Sequence, residues 1–484
     1  MLLYVRKAHA LWPATLVVLA LLLAGCKERE RQDREYHSDP TELLQALGNA
    51  HSRPELLEVL DLIAAAQDAD PAKHPEIVAA LRDLLDQNDP MLASKAGDVL
   101  ARWGDSAAAG PLLRLLRNPN PWVRVSAGSS LAILEDPSVA DKVAEATLDA
   151  DENVRAQACR TLAEIRRRLT GRSLNLVRAR LTDDHPSVRA AAATALGRVG
   201  DETDFPYLRP ALDDPNTGVV VAAIEALGRL GDHHSVPIMI DMLGSPDQAR
   251  AVAAAAALGR IRDPRAVDAL AAGLRHPDTI VRGEIMRSLR GLGVPRVIPN
   301  VLAMALDEDP LIQTFVPFVI GKLYQPEYFD TVIGGTTDER PEIRSAAIFS
   351  LAIASERRAI PSARKMLRDP HHTVRIAAES ALGLFGDRES VDAIEELADY
   401  DPNPQVRDAA RVARVVAKID APTLLSRIIL GLASSVPEVR LNSATMLSAI
   451  GDKRAVPALR LVLDDDEELI RNAARTGIKR ILDE

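Results

Sequence analysis

A leucine or isoleucine returns along this chain at a nearly fixed interval, at positions 100, 131, 162, 196, 227, 258, 289, 320, 351, 382, 447 and 478, with Arg414 in the one remaining slot. Nine of the twelve steps are 31 residues and the mean step is 31.5. A period of this length fits two short helices and two turns, and self-similarity on this scale is the mark of a stacked array. No segment alternates apolar and polar residues with period two over any useful length, so strands are not expected. The 484 residues would suggest several domains by length alone, but no glycine- or proline-rich linker interrupts the chain after residue 40. The expectation is one repetitive, all-helical body of about 13 to 14 helix pairs, from chain length divided by period.

The interior of each period is also constant. His185-Pro186-Ser187-Val188-Arg189 runs on to Leu196, Gly200 and Asp201, and Asp369-Pro370-His371-His372-Thr373-Val374-Arg375 runs on to Leu382, Gly386 and Asp387. From the Val-Arg step, Val188, Ala191, Ala192, Ala195, Leu196 and Val199 share one helical face. Gly-Asp pairs at Gly104, Gly200, Gly231, Gly386 and Gly451 predict a left-handed glycine ending the second helix and an aspartate capping the next helix. Prolines 111, 237, 299, 361 and 457 open the first helices, where a missing N–H costs nothing.

These residues resemble the HEAT-like repeats, in particular the short bacterial form named after phycobilin lyases, closely over residues 90–484 and loosely over 41–89. The resemblance implies an α-solenoid, a right-handed superhelix with second helices lining its inner wall, and degenerate capping helices over 41–89. It also implies a ladder in which the arginine of the Val-Arg step meets an aspartate of a neighbouring repeat. The matching arginines are 124, 155, 189, 282, 344, 375, 407, 440 and 471, and the acids are Asp149, Asp183, Asp214, Asp307, Asp338, Asp369, Asp401 and Asp465. That ladder is structural, so its members are poor candidates for a site.

Ahead of the repeats, Arg6 and Lys7 precede an uncharged apolar stretch, Ala14 to Leu23, too short to span a bilayer comfortably. It ends in Leu23-Ala24-Gly25-Cys26, which is similar to the bacterial lipobox. The resemblance implies a lipoprotein signal peptide over 1–25, lipidation of Cys26, a charged tether over 26–40, and an exported protein facing the periplasm. Lys27 in place of an aspartate leans towards the outer membrane. After cleavage 57 basic residues face 69 acidic ones, a net charge near −12, which argues against nucleic acid as a partner. With Cys26 acylated, Cys159 can form no intramolecular disulfide and is read as a packing residue.

No nucleophile elbow, phosphate-binding loop, His-Glu-x-x-His or Cys-x-x-Cys occurs, so no catalytic, cofactor or metal site is assigned. His233-His234 and His371-His372 are read as loop residues. HEAT-type deoxyhypusine hydroxylases hold iron with His-Glu pairs, and no histidine here is followed by glutamate. Two features stand out instead. Arg198, Arg229 and Arg260 recur one repeat apart, with Arg102, Lys322 and Arg480 in the same register: either cations favoured at helix C-termini or a stripe for an anionic partner. Between Gln313 and Phe349, Pro317 falls inside a second helix, where it is expected to kink or interrupt it. Aromatics gather there, among them Phe315, Tyr324, Tyr328 and Phe329, either as a larger compensating core or as an exposed notch for a partner. The reading is a membrane-anchored scaffold for unidentified proteins in the cell envelope, not an enzyme. A lyase- or oxidoreductase-like enzyme working in the groove and a structural envelope spacer remain the alternatives.

Overall fold

The computed structural model describes residues 40–482 apart from 51, 66–69, 86–88, 166–170, 418–423 and 435, so the signal, Cys26 and nearly all of the tether lie outside the described residues. Among the described residues there are twenty-eight α-helices and no strand. They form fourteen consecutive helix pairs, an all-α solenoid, in two compact units, one within 25–261 and the other within 262–484. Each unit contains seven pairs. Pro40–Asn49, Arg53–Ala64 and Pro75–Leu85 precede the helix that carries the first recurring leucine, Pro90–Arg102.

The periodic residues explain the stack. Leu100, Leu131, Leu162, Leu196, Leu227, Leu258, Leu289, Ile320, Leu351, Leu382 and Leu447 are all fully buried. Withdrawing each such side chain from water stabilises by about 1.5–3 kcal/mol, and it can do so only against a neighbouring repeat. Second helices pack on second helices, as Pro186–Val199 does on Thr217–Leu230. Their approach is set by glycine: a Cβ at Gly197 would stand 2.6 Å from the Cα of Ala226, and one at Gly228 would stand 2.6 Å from the Cβ of Ala257.

Helix ends follow the sequence signals, with two corrections. Gly104, Gly231, Gly386 and Gly451 adopt positive φ, but Gly200 does not, at φ −87°. There Asp201 and Asp204 form a reciprocal capping box, and the Asp204 carboxylate occupies the space beside Gly200. The first helices also begin a turn earlier than their prolines, in short 3₁₀ segments such as His233–Ser235 ahead of Val236–Met242. His233 and His234 therefore belong to a helical turn and not to a loop.

The arginine–aspartate ladder forms with a fixed geometry. Arg155 donates to both carboxylate oxygens of Asp183 at 2.8 Å, and its other terminal nitrogen caps the carbonyls of Asp149 and Ala150 at 2.9 Å. Arg189–Asp214, Arg282–Asp307, Arg344–Asp369, Arg375–Asp401 and Arg440–Asp465 repeat this fork, and Arg124 reaches Asp149 with one nitrogen. Ser434 stands where the acid for Arg407 would be, and Gln313 replaces the arginine that would have met Asp338. Gln313 keeps only the capping half, donating to the Asp307 carbonyl at 2.6 Å, and Asp338 pairs with Arg340 of its own turn.

A second ladder runs beside the first, with no counterpart among the sequence expectations. Arginines of the first helices reach the aspartate just beyond the end of the second helix in the same pair: Arg82–Asp105, Arg178–Asp204, Arg209–Asp232 and Arg364–Asp387. Asp105 and Asp232 of the Gly-Asp pairs are thus both caps and rungs. Asp232 accepts from Arg209, from the Ser235 hydroxyl and from the His234 amide.

These contacts set the acid response. The Arg189 guanidinium holds Asp214 below the usual carboxylate range, and Arg364 does the same to Asp387. At Asp183, Asp369, Asp401 and Asp465 burial works upwards, but hydrogen bonds from arginine and a backbone amide outweigh it. Folded values below the unfolded value near 3.9 mean that this stabilisation is complete above that pH and is lost as pH falls through the lower folded values. Melting temperature is therefore expected to hold from neutrality to about pH 4 and then drop. Arg189→Ala should cost about 2–3 kcal/mol at pH 7 and less in acid, where only its caps on the Asp183 and Asp184 carbonyls still count. A difference that persists unchanged at pH 2 would contradict the assignment.

Glu379 runs the other way. It is fully buried where other repeats carry Ala193, Ala255 or Met286, and neither carboxyl oxygen has a hydrogen-bond partner among the described residues. Burial and the charge of Asp401 push it well above the carboxylate range, against the pull of Arg375. Its folded form keeps the proton, so its contribution is most favourable below the unfolded value near 4.3 and declines as pH rises. Glu379→Met is expected to raise the melting temperature at neutral pH, with the gain shrinking towards pH 4. A variant that melts earlier at pH 7 would show that the carboxyl stabilises the stack.

Candidate functional site

Arg198, Arg229 and Arg260 lie in the last turns of Pro186–Val199, Thr217–Leu230 and Gln248–Ile261, all within the 25–261 unit, and all three are exposed. Their surroundings differ from those of the ladder arginines. Arg198 reaches back to Glu164, which holds the same register one repeat earlier. Arg229 also reaches back, since a Cβ at Gly197 would stand 3.4 Å from its guanidinium nitrogen, but the residue in register there is Arg198. Burial lowers the pKa of Arg229, the charge of Arg260 lowers it further, Glu225 opposes, and Arg198 adds to the depression. The other members of the register are scattered: Arg102 pairs with Asp98 one turn away at 3.0 Å, and Lys322 and Arg480 are exposed in the other unit.

The aromatic region is organised differently from an exposed notch. Pro317 is buried, and Pro310–Leu323 continues through it as one helix, so the expected interruption does not occur. Phe318 and Phe349 meet edge to face at 6.3 Å. Phe315, Tyr324, Tyr328 and Phe329 are each half-buried. The Tyr324 hydroxyl donates to Glu356 at 2.8 Å, and Arg358 lies over the Phe329 ring at 4.2 Å while pairing with Glu356. Tyr324 is pushed up to about 12 by burial and by its bond to Glu356, which is itself pulled down to about 2, chiefly by Arg358. Two repeats are thereby clasped: Tyr324 and Phe329 from one, Glu356 and Arg358 from the next.

The remaining chemistry-bearing residues are accounted for locally. Cys159 is buried and its thiol is pushed up to about 12 by burial, as a packing residue would be. The rings of His371 and His372 stack at 4.9 Å at the start of their helix, with His371 Nδ1 2.8 Å from the Thr373 hydroxyl. The backbone amide of Asp278 donates to His276 Nδ1 at 3.0 Å. Among the described residues no group of three or more histidine, cysteine or acidic side chains is placed to hold a metal ion. An open cleft of about 810 Å³ runs between Leu113, Arg117, Lys142 and Leu148, and its charges are engaged, Arg117 with Glu145 and Arg124 with Asp149.

The aromatic clasp predicts a stability effect. Tyr324→Phe, which removes only the hydroxyl, is expected to cost about 1–2 kcal/mol in thermal or urea unfolding, and Phe329→Ala about 2 kcal/mol. Wild-type melting of both variants would return these side chains to the pool of free surface anchors.

The sequence comparison agrees with the geometry. A family model described as HEAT repeats matches residues 78–151, 143–228, 176–256, 206–279, 236–314, 268–352, 329–413 and 409–479. No curated protein matches the chain. Similar solved structures include importin beta crystallised in an ammonium sulfate condition, 12% identical with TM-score 0.49, covering 98% of this chain and 71% of that one. Two others are Kap95p with RanGDP, 13% identical with TM-score 0.41, and the karyopherin Kap121p bound to the extreme C-terminus of Cdc14p, 14% identical with TM-score 0.46. Each covers 92% of this chain, which spans 66% and 54% of their lengths respectively. With matches running from residue 78 to residue 479, the chain belongs to the HEAT-repeat family.

Proposed function

We infer that the protein is a membrane-tethered scaffold of the cell envelope that binds other proteins and performs no catalysis of its own. The observation that carries this reading is the use made of the charged side chains. Two ladders of arginine and aspartate, one between repeats and one within helix pairs, tie the buried ionic groups into the stack, and the exposed helix surface of the repeats remains outside them. Stacked helical repeats offer such surface to partner proteins. The tether rests on Cys26 at the end of its apolar leader and the charged Lys27-Glu28-Arg29-Glu30-Arg31 immediately after it. Two or more acyl chains would give durable anchoring where one would not. Among the described residues no helix is long and apolar enough to cross a membrane.

The test combines fractionation with crosslinked capture from intact envelopes. The wild-type chain should sediment with membranes through a high-salt wash and co-isolate a protein in stable amount. Cys26→Ser should be released or should stall before processing. A serine variant that has lost its leader and still stays in the washed membrane would remove the lipid tether from the reading. Purified protein that carries a cofactor absorbance and captures no protein would favour the enzyme alternative.

A further inference from the structure

We propose that Arg198, Arg229 and Arg260 form a docking strip for an extended acidic segment of a partner protein. This rests on the scaffold reading and adds to it a place and a ligand chemistry.

The strip is a run of like charge in which, among the described residues, only Arg198 has an ion-pair partner. In the register two residues beyond each buried leucine, successive repeats carry Ile133, Glu164, Arg198, Arg229 and Arg260. Arg198 and Arg229 both reach back over the preceding helix: Arg198 finds Glu164, whereas Arg229 lies over Gly197 beside Arg198. One carboxylate thus opens a column of three guanidinium groups, and Glu225, one turn below Arg229, acts on it only through its charge. Ladder arginines such as Arg189 and Arg282 instead receive an aspartate from the next repeat. A cation in the last turn of a helix is favoured by about 0.3–1 kcal/mol. That explains one arginine at one helix end but not three stacked ones that share a single paired carboxylate.

The spacing selects the ligand. Packed helices stand about 8–10 Å apart, and the contacts of Gly197 with Ala226 and Gly228 with Ala257 place these at the close end of that range. A polyproline-II segment turns once in three residues and rises about 3.1 Å per residue, so side chains at every third position recur on one side about every 9 Å. An acidic residue at every third position would bring one carboxylate to each guanidinium. A single small oxyanion could bridge only two of them. A nucleic acid would press many more phosphates against a chain whose net charge is −10.

The probe is a short fluorescent peptide with glutamate at every third position among serine and proline, read by polarisation against the same peptide with glutamine for glutamate. The glutamate peptide is expected to bind at least about tenfold more tightly, and to weaken as salt rises. Arg229→Gln with Arg260→Gln should lose about tenfold or more, and lysine at both positions should restore most of it. These side chains are exposed, so a melting curve matching wild type is expected and serves as the control for folding. Equal binding by wild type and the folded glutamine variant would overturn the strip. So would displacement of the peptide by micromolar inorganic phosphate, which would mark a site for a small oxyanion. In envelopes, capture of the same partner by wild type and the glutamine variant would sink the strip while leaving the scaffold standing. Peptide binding that depends on these arginines, with no partner captured by either form, would uphold the strip and count against the scaffold.

Discussion

The apolar face of a second helix in this chain has nothing of its own repeat large enough to cover it, and that deficit governs the rest. Leu196 and Leu227 are fully buried where Pro186–Val199 and Thr217–Leu230 pack against each other and against the neighbouring second helices. Burial is shared between repeats, so stability is close to a sum over neighbours, and the chain can lengthen without enlarging any single core. The same deficit explains the composition. Alanine and glycine at 191–193, 197, 226 and 228 let the backbones approach, and the leucines then fill what space is left.

Once the helices are close, their ends become the problem. Each first helix finishes with carbonyls that lack partners, directly beside the start of a second helix. One arginine resolves both ends, since Arg155 caps two carbonyls and grips Asp183, whose carboxylate in turn accepts the amide of His185. The pair is only slightly exposed, and forked geometry is what makes such a partly buried ion pair worthwhile. Lysine could not make this fork, which accounts for arginine in every filled rung.

Much of this is legible in the sequence because its signals are local. The leucine register and the Val-Arg step each report on one or two turns of helix. Gly200 departs from its expected conformation for the same reason. The dipeptide is identical to Gly231-Asp232, but Asp204 three residues on diverts the backbone from the left-handed region. The second ladder is hidden because Arg82 and Asp105, or Arg209 and Asp232, stand 23 residues apart and the arginine recurs in only some repeats. Pro317 has less effect than its position suggests: an isolated helix would break there, but buried neighbours on both sides hold Pro310–Leu323 together. The aromatic clasp has no sequence signal, since nothing near Tyr324 announces Glu356 and Arg358.

The placement of arginine itself separates structural from available charge. The rung position seven residues before each buried leucine is Arg124, Arg155 and Arg189 in three successive repeats, then Val220 and Ala251. At Val220 the rung arginine is absent, and Asp247 instead accepts from the Thr217 hydroxyl at 2.8 Å and pairs with Arg250 of its own turn. Thr217–Leu230 and Gln248–Ile261, which lack the rung arginine, carry Arg229 and Arg260 at their ends. In Pro186–Val199, the helix before them, both kinds are present, Arg189 bound to Asp214 and Arg198 to Glu164. Across these repeats cationic charge therefore passes from the interior rung, where a carboxylate is built in to meet it, to a column where, among the described residues, one of three guanidinium groups has an ion-pair partner. A column filled for packing alone would need no charge at all, as Ile133 and Leu384 in the same register show.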